Sequence, residues 1–205
     1  MSPNPEIAET RPRRLRRQER REQILAAATR AFAKAGGFTL TSLDDVAAES
    51  GVTRMILYRH FDSKTDLYQA VLERAAVQLR EAATSGGELG EQSVPGMLRW
   101  ASEDPDGFRL LFHHAAREAD FRDEVDGVRE GMVAALLPHM EQAAVSKEWA
   151  VWAANLATTT VIEAIMAWLD AGRPDEDEAA DRILQAVDGI YRAVTPDTGR
   201  TSPTA

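Results

Sequence analysis

The sequence predicts an all-α protein of about nine helices, an N-terminal three-helix helix-turn-helix domain followed by a larger helical domain. Three observations carry the prediction. Apolar residues recur at three- and four-residue spacing along almost the whole chain, no segment alternates with a period of two, and clusters rich in Gly, Pro and Ser separate the periodic stretches. No internal repeat and no long heptad run occurs, and 205 residues suffice for one small module plus a domain large enough to enclose a cavity.

Residues 1–19 are polar, contain Pro3, Pro5 and Pro12, and are expected to form a disordered arm. Its segment RPRRLRRQERR has seven arginines in eleven residues. There Arg13, Arg14, Arg16 and Arg17 either neutralise phosphates and reach into a narrow minor groove, or belong to a solvated tail without ordered contacts. A first helix is expected from about residue 18 to Ala35, burying Ile24, Leu25, Ala28 and Phe32, and Gly36-Gly37 ends it.

Thr41 or Ser42 caps the next helix, with Asp44 or Asp45 as the returning acid of a capping box and Leu43, Val46 and Ala47 facing inward. Gly51 ends it, because glycine takes the left-handed C-terminal conformation without steric cost, and Val52 folds back over the turn. Thr53 caps a third helix that buries Leu57 and Phe61 and turns Arg54, Met55, Tyr58, Arg59 and His60 outward. Ser63 and Asp66 open a fourth, which carries Leu67, Tyr68, Val71, Leu72, Ala75 and Leu79 to about Ala83, before the loop TSGGELGEQS.

Beyond the loop, Pro95 opens a short helix that Glu103-Asp104-Pro105-Asp106 breaks. Helical segments follow from Phe108 to about Arg117 and from Phe121 to about Met140. The two longest run from about Lys147 to Ala171 and from about Glu176 to Val194, with Gly172-Arg173-Pro174 between them; residues 196–205 form an expected disordered tail. The predicted division is thus a helix-turn-helix domain at 20–65 and a larger helical domain at 66–195.

Two short helices joined by a tight turn containing Gly, the second displaying Arg, Tyr and His, form a helix-turn-helix suited to a major groove, although a plain helical hairpin can carry the same Gly. The segment VAAESGVTRMILYRHFDSKTDL, preceded by TS and by REQILAAATRAFAKAGG, resembles the DNA-binding domain of the TetR family of transcriptional repressors over about residues 20–70. Its most specific run is Leu57-Tyr58-x-His60-Phe61-x-Ser63-Lys64; Met55 and Ile56 depart from the small or hydroxyl residues frequent in the family. The resemblance implies Thr41, Ser42, Tyr58, His60 and Lys64 at phosphates and Thr53, Arg54 and Met55 near base edges. Arg54 can grip guanine O6 and N7, and Met55 can touch a thymine methyl.

The resemblance also implies a homodimer on a palindromic double-stranded operator, its last two helices pairing with their symmetry mates, and a small-molecule inducer held in the body. The penultimate helix is apolar over more than one face, one side for its own core and one for a partner subunit. Ile162, Ile165, Met166, Trp168, Leu169, Ile183, Val187, Ile190 and Tyr191 are the interface candidates. Trp100, Phe108, Phe112, His113, Met132, Leu136, Trp152, Asn155 and Thr159 are pocket candidates, with ordinary core packing as the alternative for the aromatic residues.

Charge separates the two halves. The chain carries a net −9, but residues 1–64 hold 12 Lys+Arg against 8 Asp+Glu while residues 65–205 hold 12 against 25, a basic front on an acidic body. No cysteine is present, which excludes disulfides, thiolate metal sites and a thiol nucleophile. His113-His114 are neighbours about 100° apart on a helix, without a third ligand at suitable spacing, so no metal site is expected. No nucleophile–base pair, phosphate loop or dinucleotide fingerprint marks an enzyme, and no cofactor is expected. Without an apolar run of 18 residues or an apolar signal segment, the expectation is a cytoplasmic protein with no membrane span. A ligand-independent adaptor or nucleoid-associated protein of the same fold is the alternative function.

Overall fold

The computed structural model describes residues 5–84 and 89–196, with side chains from residue 17 onward. Among the described residues the protein is all-helical, with nine α-helices. They are α1 (Pro5–Ala35), α2 (Leu43–Ser50), α3 (Arg54–Tyr58), α4 (Lys64–Ala83), α5 (Ser93–Glu103), α6 (Pro105–Arg109), α7 (Arg122–Ala143), α8 (Lys147–Asp170) and α9 (Glu176–Val194). A π turn at Leu110–His114 and 3₁₀ turns at Ala115–Arg117 and Ala119–Phe121 connect α6 to α7.

α1 begins at Pro5, where the sequence predicts a disordered arm to residue 19. Proline in the first helical turn forfeits no hydrogen bond, and the Arg, Glu and Gln that follow are good helix formers. The side chains of Arg13, Arg14 and Arg16 lie outside the described residues, as do residues 1–4 of the arm and the expected tail from residue 197.

Two compact units form. One comprises the chain up to Val77 together with Asp106–Arg122; the other comprises Gln78–Pro105 and the chain from Asp123. This packing division falls inside α4, and it places the π and 3₁₀ segment in the first unit. The aromatic core explains why. Phe121 meets Phe38 at 4.9 Å and Tyr68 at 4.6 Å between ring centroids, and Tyr68 meets Phe32 at 4.7 Å, so residues far apart in sequence share one interior.

Within this unit the predicted caps of α2 and of the start of α4 form. Ser42 and Asp45 make a complete capping box at the start of α2, and Gly51 ends that helix at φ +64° with the Val52 N–H bonded to Ala47 O at 3.1 Å. Ser63 Oγ accepts from Asp66 N–H at 3.0 Å, while the Asp66 carboxylate returns to Asp62 N–H at 2.8 Å. Thr53 stands at the N-cap of α3 without a side-chain cap bond, unlike the role its sequence position predicts. Leu57 and Phe61 are buried as expected.

In the second unit, Ala150, Ala153, Ala154 and Ala157 of α8 form a core with Met140 and Val194, against which Leu136, Leu137, Val187 and Ile190 pack. Small side chains let the helices approach closely. The α8–α9 turn is tied down by Trp168 Nε1–H donating to Pro174 O at 2.6 Å and Arg173 Nη1–H donating to Ser102 O at 3.0 Å. By length and composition alone α8, with 24 residues and mean hydropathy 1.3, could cross a membrane. Its alanine face in the core accounts for that apolarity as the mark of a central helix.

The nine interface candidates take these places in the packing of their own chain. Ile162, Ile165, Trp168, Leu169 and Ile183 are buried in their own chain, and Val187 and Ile190 pack on its core. Met166 is half-buried, and Tyr191 alone among the nine is exposed. The apolar surface that α8 leaves open is different: Trp149, Val151, Trp152 and Leu156, the first and third being 50 % and 46 % exposed with rings in edge contact at 5.5 Å.

Candidate nucleic-acid interface

α3 is only five residues long, and its orientation is set from both ends. The glycine turn at its start and the burial of Leu57 and Phe61 leave one way for its other residues to face. Arg54, Met55, Tyr58 and Arg59 are accordingly exposed, with Met55 at 67 %. Arg54 Nη1 lies 3.3 Å from the Asp44 carboxylate of α2; the Tyr58 hydroxyl and Asp44 together hold its guanidinium even more firmly protonated than usual. Arg59 Nη2 reaches Met55 Sδ at 3.9 Å. A cation, a phenol and a thioether thus share one exposed surface, the donor and apolar set that reads base edges.

Beside α3, Arg17, Gln18, Arg21 and Glu22 of α1 and His60 line a cleft of about 370 Å³. Arg21 covers the Phe61 ring at 5.1 Å, a cation–π contact that anchors the α1 side of the cleft. Burial, then the charges of Arg17, Arg21 and Arg20, hold the His60 imidazole below its ordinary range. The cleft suits an anion. Arg20, Arg21 and Arg59 are missing from the candidates drawn from sequence; their charge was visible, but only the helical continuation of α1 beside His60 brings Arg20 and Arg21 to this site.

Two of the residues expected at phosphates have partners within the chain. Thr41 is 3 % exposed, and its hydroxyl donates to Gly37 O at 2.7 Å. Lys64 Nζ donates to Phe38 O and Thr41 O, each at 2.8 Å, and sits 4.0 Å from the Phe38 ring centroid. Two of its three donors are spent on the α1–α2 turn, so Lys64 is first a strut of that turn. Ser42 remains exposed, its hydroxyl engaged with Asp45, whose carboxyl these bonds to Ser42 hold below the usual range. Thr53 is exposed at the head of α3.

The pocket candidates fall in both units, and each takes its place within its own. Trp152, Asn155 and Thr159 lie on the exposed face of α8, and Asn155 Nδ2–H donates to Val151 O of its own helix at 2.8 Å. That stripe faces away from the alanine core. Leu136 packs on the core of the second unit, Met132 is half-buried and Trp100 is buried on α5. Phe108 and Phe112 pack together at 5.0 Å in the first unit, where His113 Nε2 lies 3.0 Å from Arg117 Nη1. No group of three or more His, Asp or Glu residues positioned to hold a metal occurs among the described residues.

The sequence profile described as "Bacterial regulatory proteins, tetR family" matches residues 24–71. The chain is 35 % identical over 111 residues to the HTH-type transcriptional activator FasR of Mycolicibacterium smegmatis, a match covering 51 % of this chain and 50 % of that protein. It is 50 % identical over 56 residues to the HTH-type transcriptional regulator TtgR of Pseudomonas putida, covering 27 % and 26 %. The match therefore spans about half the length of the first relative and about a quarter of the second. Among solved structures, a TetR-like transcriptional regulator from Rhodococcus sp. RHA1 superposes with TM-score 0.72 at 23 % identity, over 85 % of this chain and 94 % of the other. The transcriptional regulator FadR from Bacillus subtilis, solved in complex with stearoyl-CoA, gives TM-score 0.65 at 15 % identity, over 81 % and 96 %. At these identities the structural likeness establishes the fold.

Proposed function

We propose that this chain, which belongs to the TetR family through its N-terminal domain and is a DNA-binding transcriptional regulator, acts in the cytoplasm as a homodimeric repressor. It binds a palindromic operator and releases it when a small, largely apolar ligand occupies the body. The observation that carries this reading is the exposed surface of α3, where Arg54, Met55 and Tyr58 stand together on a helix oriented by a buried flank. One helix-turn-helix reads only a few base pairs. A two-fold pair places two of them about 34 Å apart, one turn of the duplex, and doubles the contacts. FadR, alike in fold, was solved with stearoyl-CoA, a ligand with a long apolar chain on a charged head.

Protection of the upstream region of its own gene, with and without a panel of apolar compounds, tests the reading. A protected palindrome that one compound abolishes supports it; protection indifferent to every compound favours the ligand-independent adaptor. The assigned roles have a separate test. Arg54→Ala relaxes sequence preference at one position per half-site, costing about 1–3 kcal/mol there, whereas Arg17→Ala weakens all duplexes alike and lowers the salt slope by about 1. Uniform loss in both variants, with preference unchanged, would remove Arg54 from base reading.

A further inference from the structure

The α1–α2 turn is gripped by opposite charges from two sides. From α4, the Lys64 ammonium takes the carbonyls of Phe38 and Thr41. From the extended residue between the two 3₁₀ turns, 79 residues away, the Glu118 carboxylate takes the donors of Thr39: the backbone N–H reaches Oε1 at 3.2 Å and the hydroxyl reaches Oε2 at 3.0 Å. The site is shaped for that carboxylate. Gly37 adopts φ +119°, and a Cβ there would stand 2.5 Å from Glu118 Oε1 and 3.5 Å from His114 Cβ. The three residues after Thr39 are Leu40, the buried Thr41 and Ser42, whose capping box starts α2.

From this geometry we infer that Glu118 is a positioning residue for DNA binding: its two bonds to Thr39 set the turn that delivers Ser42 and the start of α2 to the duplex. The inference rests on the reading of α2 and α3 as the DNA-contacting surface. The side chain touches no DNA in this role. Its place depends on the π turn at Leu110–His114 and the 3₁₀ turns around it, so the register of that segment decides whether the carboxylate meets Thr39.

The sign of one measurement separates positioning from charge. A carboxylate lost near a polyanion should, by Coulomb attraction alone, tighten DNA binding. Positioning demands the reverse for Glu118→Ala and rescue by Glu118→Gln. The glutamine keeps the shape, with its carbonyl accepting from Thr39 N–H and its amide donating to Thr39 Oγ1. Affinity for a mixed-sequence duplex at low salt is measured beside thermal stability. Expected is binding about tenfold weaker in Glu118→Ala, an intermediate loss in Thr39→Val, and wild-type or slightly tighter binding in Glu118→Gln. If Glu118→Ala does not fold, Thr39→Val against Glu118→Gln decides. Glu118→Ala and Thr39→Val proteins that bind as wild type or tighter, whatever their melting temperature, overturn the inference, as does equal loss in the Gln and Ala forms. A wild-type protein that fails to bind duplex would instead overturn the functional reading beneath it.

Discussion

Tyr68 carries a hydroxyl into the aromatic core where, among the described residues, it meets no hydrogen-bond partner. Burial, with the nearby charge of Glu118, pushes the phenol well above its usual pKa. A raised folded-state pKa contributes stability that is complete below the unfolded value of about 10 and lost as pH rises above it. Tyr68→Phe should therefore be neutral or more stable by about 1 kcal/mol near neutral pH, and should flatten the alkaline loss, as denaturant melts between neutral and alkaline pH would show. A clear destabilisation would reveal that the hydroxyl is satisfied. His60 works at the other end of the scale. A phosphate entering its cleft offsets the arginine charges and raises its pKa, so binding takes up a proton and duplex affinity increases as pH falls toward the lowered pKa of the free protein, below the ordinary histidine range. Titrations at constant ionic strength should show that slope vanish in His60→Gln. What Lys64 and Thr41 would touch could not be read from the sequence. Their partners are main-chain atoms of residues 37, 38 and 41, brought near by the fold, whereas Ser42 and Asp45 lie three apart and announce their own bond.

At the scale of elements, local signals predicted what local hydrogen bonds decide. The extents of α8 and α9, the box at α2 and the glycine turn before α3 all follow from residues within one turn of the boundary. The segment from Leu110 to Phe121 does not; its π and 3₁₀ turns answer to packing on Phe38 and to the Thr39 contact, about 80 residues back. Gly51 and Gly37 show the same contrast. At Gly51, φ is +64° and a Cβ would meet nothing within 4 Å, so Gly51→Ala costs only backbone strain, about 1 kcal/mol. At Gly37 the added methyl collides with the Glu118 carboxylate as well, and the cost should rise to about 3 kcal/mol, with contact and strain both lost. Equal losses from the two substitutions in chemical melts would mean that Glu118 swings aside freely and holds nothing.

For the whole molecule, charge and apolar surface limit how two copies can pair. The chain beyond residue 64 carries 25 acidic against 12 basic side chains, so two bodies repel unless they meet where charge is absent. α8 has such a stretch. From Trp149 to Ile162 it has no charged residue, and on its exposed stripe Trp149, Trp152 and Leu156 follow one another at spacings of three and four before Glu163 restores charge. Exposed tryptophans of this kind are costly in a monomer and suited to the centre of an interface. The proposed pairing therefore predicts opposite effects from two residues of one helix. Trp152→Glu leaves the fold intact, because its side chain lies outside the core, but sets two like charges across the two-fold seam; sedimentation should show a monomer, and operator affinity should collapse with it. Ile165→Ala, fully buried, should instead lower stability by about 2–5 kcal/mol while the molecules that remain folded still pair. A Trp152→Glu protein that sediments as a dimer would move the seam elsewhere on α8 or α9.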